Sequence, residues 1–471
     1  LKALQRSLDA TLPACMVGTL LAVVYGLELG LWIARPAIAL YLLQHWPQLP
    51  GMGRLLLSAT VATALGLLLM HSDPWPIVLA GWDSLSFFAT FITSLGLLRV
   101  AAVSSPLVRA AGYTLVRQKP SQRYPTLSLG TALFGMIINV GVLSLFTTMV
   151  SRSNTLQSAN GSAAVQEARE RRMALAILRG FALAPIISPL SVTLAIILSA
   201  LPQLTWTGIL PITLPMAVLF FFLGWAADWW QRPKHLAAQV SSSLPATAPP
   251  LTPLYRFSGL VGLITLSVFA VAVVLHVPLP TAVLIACPLC AFIWLAVQRK
   301  RLNGGLGVKR ASSHVLRNAY YIFASSRNEV ALLGASAALG TLLTPLINEQ
   351  ALAVLLQQWG VQGVTFAVLA MGTVVLFAQI GVNPIVSATL VASLFPDTSL
   401  IHLHPGVLAL ALMCAWSLSM ITSPFTASLT LVSEQIHRSS YQVGWRWNAV
   451  FFFLLLPVII AWLHLAQWLL G

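Results

Sequence analysis

The chain is poor in charge, and poorest in acid. Only 8% of its 471 residues are charged, and 11 Asp and Glu stand against 26 Lys and Arg. Soluble domains carry about 25% charged residues, so an ordinary water-soluble fold is excluded. Cysteine is scarce too: Cys15, Cys287, Cys290 and Cys414 are the full set, each within an apolar run. Cys287-Pro288-Leu289-Cys290 has the spacing of a redox pair, yet it lies inside a hydrophobic segment, which points to a buried structural role. No Walker loop, HExxH or Gly-x-Ser-x-Gly sequence is present, which leaves an ATPase or a membrane hydrolase without its machinery. A basic patch on a polar domain is missing as well, so the +15 formal charge does not indicate a nucleic-acid partner. It reads instead as Lys and Arg gathered into cytoplasmic loops that set topology.

What is left is apolar. With 58% hydrophobic residues and runs of roughly 17–25 apolar residues along nearly its whole length, the sequence predicts an all-α polytopic protein of the inner-membrane lipid bilayer rather than a barrel. Spans are expected near 10–27, 36–52, 54–71, 84–101, 173–199, 206–227, 257–276, 279–298, 329–347, 406–433 and 447–469. The first follows Lys2 and Arg6 and imitates a signal peptide, but the many later spans favour an uncleaved helix. Because the chain opens on Leu1 rather than Met, its true start is expected upstream.

Two further apolar segments do not read as spans. Segment 126–150 is interrupted at Ile138-Asn139-Val140-Gly141 and has basic flanks, Arg99 to Arg123 before it and Arg152, Arg169, Arg171 and Arg172 in the polar loop 151–172 after it. Both flanks belong in the cytoplasm, which a re-entrant hairpin satisfies. Segment 365–395 breaks at Gly381-Val382-Asn383-Pro384, and its flanks 348–364 and 396–405 contain no Lys or Arg, as expected of a hairpin from the opposite face. The total is about eleven transmembrane helices plus two hairpins, with the N-terminus cytoplasmic and the C-terminus extracytoplasmic. The basic cluster from Arg299 to Arg327 anchors this orientation, and 240–254 reads as a flexible linker.

Two stretches organise the whole. Ile187-Ser188-Pro189-Leu190-Ser191-Val192-Thr193-Leu194 and Thr422-Ser423-Pro424-Phe425-Thr426-Ala427-Ser428-Leu429 are copies of one another. In lipid, a helix is interrupted only where it is buried in protein or lines a cavity, and matched interruptions in two halves point to the site of a secondary transporter. The run from Phe91 to Leu98 resembles that from Ala335 to Leu342, with Gly96 and Gly340 the same 244 residues apart as Asn139 and Asn383. Ser188 and Ser423 are 235 apart, a difference that one insertion in loop 151–172 explains. The halves begin in opposite directions, so they read as an inverted-topology repeat. Scaffold helices are expected over 1–83, a first repeat over 84–227 with hairpin 126–150 and broken helix 173–199, and connecting scaffold over 228–328. A second repeat follows over 329–471, with hairpin 365–395 and broken helix 406–433.

This order of span, hairpin, broken span and span, given twice and inverted, resembles the ion transporter superfamily. Its architecture is most similar to the divalent anion/sodium symporter family, with citrate carriers and the large membrane subunit of tripartite periplasmic transporters as relatives. The resemblance implies a scaffold that mediates homodimerisation and a transport domain that moves as an elevator. In that family each hairpin tip carries a Ser-Asn-Thr motif; here Ile138-Asn139-Val140 and Val382-Asn383-Pro384 keep only the asparagine, so the match is architectural.

The candidate substrate-binding residues are Asn139, Ser188, Pro189, Ser191, Asn383, Pro384, Ser423, Pro424 and Thr426. Candidate ion-binding residues are Asn139, Gly141, Asn383, Gly381 and Thr422. The breaks expose half-helix N-termini that favour anions and free carbonyls that suit sodium; the competing explanation is small-residue helix joining. No catalytic residue, metal site or cofactor is expected beyond sodium as coupling ion. Glu28, Asp83, Glu329 and Glu349 lie near predicted span ends, where solvation is the ordinary role and a proton relay the alternative. None falls in the breaks, so proton coupling by a carboxylate there is not expected, and sodium coupling and uncoupled exchange stay open. Arg179 either attracts an anion or snorkels to the surface. Trp225, Trp229, Trp230, Trp445 and Trp447 fit an interfacial belt, and His402 and His404 fit a loop. The leading function is a dimeric secondary active transporter of a small organic anion. The alternatives are a carrier served by a periplasmic binding protein docking around 348–364 and 396–405, a non-transporting assembly component, and a lipid-active enzyme that would need Glu329, Glu349, His402 or His404.

Overall fold

The computed structural model describes residues 10–232, 249–303, 326–395 and 397–471, and among them every regular element is helical. Most of the linker 240–254, and Lys2, Arg6, Lys234, Lys309, Arg310 and Arg317, lie outside the described residues. Nine helices are long and apolar enough to cross a bilayer among the described residues, where eleven were expected. The two that fall short are the first two, α1 (Thr11–Tyr25) and α2 (Glu28–His45). They pack with backbone in contact, since a Cβ on Gly18 would stand 2.5 Å from the Gly30 carbonyl oxygen and one on Gly30 would run into that of Gly18.

The second and fourth helices start earlier than expected for one reason. Arg35-Pro36 and Asp83 read as span ends, but Arg35 lies inside α2 and Asp83 inside α4 (Trp75–Val103). Arg35 Nε and Nη2 donate to the two Asp83 carboxylate oxygens at 2.8 and 2.9 Å. A two-pronged pair of this kind offsets much of the cost of holding both charges away from water, so both helices run through. Between α2 and α4 lies α3 (Gly51–Met70).

The chain continues through the short amphipathic α5 (Pro106–Val116), then α6 (Pro120–Ile138) and α7 (Gly141–Ser153), joined at Asn139 and Val140. The polar loop expected over 151–172 ends early. Ser162 accepts from the Val165 N–H and caps α8 (Ala163–Phe181), whose first turns are built from the strong helix formers of Ala163 to Arg172. Most of the extra length in the first half is therefore helical rather than loop. After the slackened turn at 182–183 come α9 (Ala184–Ile187), the break, α10 (Val192–Ala200), α11 (Trp206–Trp230), α12 (Thr252–Leu275) and α13 (Leu279–Asn303).

The second half begins with α14 (Arg327–Leu343) and the short α15 (Glu349–Gln358), which occupies part of an expected loop. Then follow α16 (Val364–Gln379), α17 (Pro384–Leu394), α18 (Pro405–Thr422), α19 (Ala427–Gln435), a π-helical turn at Gln442–Arg446 and α20 (Ala449–Leu470). At the centre α4 and α14 pack antiparallel. Gly81 meets Leu342, Gly334 meets Leu85, and the Ser84 and Thr341 hydroxyls lie 2.9 Å apart. At 1.5 Å per residue, α7 and α17 reach only about 20 and 17 Å, short of the roughly 30 Å hydrocarbon core.

Candidate functional site

The two breaks fold alike. Ser188 ends α9 at φ −82°, ψ 121° and Ser423 ends α18 at φ −75°, ψ 122°, the extended geometry that a following proline imposes. Each serine Oγ accepts from the N–H two residues on, Leu190 in one break and Phe425 in the other, both at 3.2 Å. The next helices start from Ser191 at φ −76°, ψ 142° and Thr426 at φ −74°, ψ 140°. One Ser-Pro-x-Ser/Thr turn has thus been written twice. Its third hydroxyl is used differently: Ser191 accepts from Leu194 N–H at 3.1 Å and caps α10, whereas Thr426 donates to the Ser423 carbonyl at 2.9 Å and leaves the start of α19 without a side-chain cap.

The tips are less alike. Asn383 caps α17 from an extended conformation, its Oδ1 accepting from Ile385 N–H at 2.9 Å. Asn139 sits at φ 55°, ψ −143°, and its Oδ1 accepts from Val140 N–H at 2.8 Å. That backbone region is nearly reserved for glycine, and occupying it costs an asparagine on the order of 1–3 kcal/mol. At both tips a backbone N–H fixes which amide atom is the oxygen. Among the described residues neither Nδ2 has a hydrogen-bond partner, so each tip offers an unused NH₂ donor.

Tips and breaks meet at one cavity of about 560 Å³. Asn139, Ser188, Ser191, Gly381, Asn383, Pro384, Ser423 and Thr426 line it; Pro189, Pro424, Gly141 and Thr422 do not. Thr422 is spent in packing, donating to Leu418 O and accepting from Gln379 Nε2 at 3.2 Å. The four helices that start from the tips and breaks all bring their N-termini to the cavity, α7 at Val140, α10 at Val192, α17 at Pro384 and α19 at Ala427. The open N–H groups and dipole ends of helix starts favour negative charge. Of the four, the α7 and α19 starts have no side-chain cap, whereas α10 and α17 are capped by Ser191 and Asn383.

Several lining residues are not among the candidate binding residues: Asn328, Pro50, Met52 and Trp416, which the sequence does not single out; Phe425, part of the second break; and Glu329 at the start of α14, a predicted span-end acid with a proton relay as the alternative. Glu329 is the ionisable side chain among them. It reads as a solvated span end because a basic cluster precedes it; no local signal shows that the chain folds this end of α14 toward the breaks.

Other expectations are corrected. Arg179 neither enters the cavity nor snorkels, for it is 1% exposed. Its Nε donates to Asn448 Oδ1 at 3.0 Å, its Nη1 to Gly224 O at 3.2 Å, and its guanidinium lies 4.5 Å from the Phe451 ring centre. Asn448 Nδ2 in turn donates to Ile421 O at 3.3 Å and Val443 O at 3.1 Å, so a buried polar network joins the two broken helices. Trp447 is buried and Trp445 Nε1 donates to Gln379 Oε1 at 3.0 Å; neither belongs to an outer belt, while Trp229 and Trp230 are exposed. His404 caps α18, its Nδ1 accepting from Gly406 N–H at 3.1 Å.

No protein-family model matches the chain, and no curated protein sequence matches it. Its structure is similar to that of the YdaH transporter of Alcanivorax borkumensis, described as having an unusual topology. The TM-score is 0.55 at 14% identity, over 88% of this chain and 99% of that one. MtrF of Neisseria gonorrhoeae, described within a class of antimetabolite efflux pumps, matches at a TM-score of 0.45 and 12% identity, over 88% of this chain and 95% of that one. The first likeness gives this multi-pass membrane protein the fold of a solved transporter. Placement nearer the divalent anion/sodium symporters rests on the sequence pattern alone.

Proposed function

We propose that the chain is a secondary active transporter of a small organic anion, with the cavity between tips and breaks as its binding site. The observation that carries this reading is the convergence on one cavity of two matching Ser-Pro turns, two asparagine tips and the helix N-termini that follow each of them. A site of this kind takes an anion without a basic side chain: the two free Nδ2 donors and the open N–H groups of α19 supply hydrogen bonds, and the dipole ends supply the field. The same Nδ2 orientation turns donors rather than acceptors toward the ligand. An anion suits it better than a bare cation.

On this reading the halves form an inverted repeat, the short pairs α6–α7 and α16–α17 are hairpins from opposite faces, and alternating access is an elevator movement of hairpins and broken helices in a dimer. The antiparallel seam of α4 and α14 supports the inversion. Basic loops then face the cytoplasm and the C-terminus the outside of the inner membrane.

The test is uptake by proteoliposomes of a pooled panel of carboxylates, phosphonates and sulfonates, under sodium and proton gradients, for wild type and Asn383→Ala. Accumulation by wild type that the variant loses, with the variant still monodisperse in detergent, is the expected result. Equal accumulation by both would remove the tip from the site, and none by wild type would overturn the transport reading.

A further inference from the structure

We propose that Glu329 is a proton-binding site coupled to the anion in this cavity, so that one proton travels with the substrate; the inference rests on the transport reading above. Glu329 is the only ionisable residue among the described residues that line the cavity. Among the described residues its carboxylate receives no hydrogen bond and forms no ion pair. Glu329 is half-buried in the first turn of a helix apolar enough to span a membrane, and an unpaired carboxylate at such a cavity is a candidate for a proton or ion path.

The surrounding charges are accounted for. On α4, which packs along α14, Arg99 acts on Glu329 through space, and Asp83 is held by Arg35 of α2. Arg99 also approaches the first tip, its Cδ lying 3.8 Å from where a Gly141 Cβ would be. On the same helix as Glu329, Arg327 donates to Gln48 at 2.6 Å. The α3 helix carries Arg54, α2 carries Glu28 and His45, whose Nδ1 lies 3.0 Å from the Tyr41 carbonyl, and α17 carries no ionisable side chain.

An anion and an ionised Glu329 would share a cavity of about 560 Å³ and the same helix ends. Like charges at close range in a poorly solvated site disfavour double ionisation. Anion binding therefore draws a proton from the water on that side onto the Glu329 carboxylate, and by linkage the protonated carboxyl favours the anion equally. On the other face the anion leaves, the carboxyl reionises and the proton goes to that side's water.

The experiment uses the full chain in proteoliposomes with the pooled carboxylate, phosphonate and sulfonate panel, comparing wild type, Glu329→Gln and Glu329→Asp with and without an inward proton gradient. Wild type should accumulate up to about tenfold more per pH unit of gradient, the linkage limit for one proton per anion. Glu329→Gln should show a ratio near 1, and Glu329→Asp should keep the response with a displaced pH profile, which separates coupling from misfolding. A proton response in Glu329→Gln equal to wild type overturns the proposal. So does anion exchange by wild type that ignores the proton gradient, and in that case the transport reading stands. Absence of any exchange removes both.

Discussion

Ser423 donates its hydroxyl to the Ala378 carbonyl at 2.6 Å, fastening the second break to the last turn of the helix that leads into the second tip. Ser188 occupies the matching position in the first break and accepts the same kind of backbone N–H, but among the described residues it makes no matching bond to α6. The two serines look equivalent in sequence and differ in attachment. Ser423→Ala takes one of two donors from the buried Ala378 carbonyl, which keeps the Gly381 N–H at 3.2 Å, and costs about 0.5–1.5 kcal/mol. Thermal unfolding in detergent should place Ser423→Ala below Ser188→Ala by the equivalent of about 1 kcal/mol; equal midpoints would deny the difference in attachment.

Asn139 holds a glycine-like backbone conformation at φ 55°. Asn139→Gly relieves that strain, worth on the order of 1–3 kcal/mol, and removes the free amide donor from the cavity. The expected outcome is a midpoint at or above wild type together with loss of anion uptake. A destabilised variant that still transports would assign the asparagine to structure alone.

The network from Arg179 through Asn448 to Ile421 joins the broken helices. Asn448→Ala takes one of two hydrogen-bond acceptors from a buried guanidinium, which keeps Gly224 O, at about 1.5–3 kcal/mol. Arg179→Met removes the charge itself, and in the double variant Arg179→Met/Asn448→Ala the two losses should fall short of their sum by about 0.5–3 kcal/mol. Full additivity in denaturant or thermal unfolding would show that the two side chains do not act together.

The breaks and tips are legible because small hydroxyls, asparagine and proline have few reasons to sit within apolar runs, and their doubling separates a pattern from an accident. Local rules even account for the shared backbone at Ser188 and Ser423, through the proline that follows each. The sequence is opaque where a charge finds its partner far along the chain. Arg35 and Asp83, 48 residues apart, turn two apparent helix ends into helix interiors, and Arg179 meets Asn448 across 269 residues. Glu329 belongs to the same class: its place at the cavity follows from how α4 and α14 cross, which no single segment records.

The central claim is that one ligand occupies a space built by both halves. Val192, at the start of α10, and Val382, at the second tip, line the cavity from opposite repeats, and none of the four native cysteines does. The measurement is labelling of Val192→Cys and Val382→Cys by a small anionic sulfonate thiol reagent, with and without the anion that the uptake panel identifies. Both should react, and the same anion should slow both over the same concentration range. Labelling of either that the anion leaves unchanged would contradict a shared site.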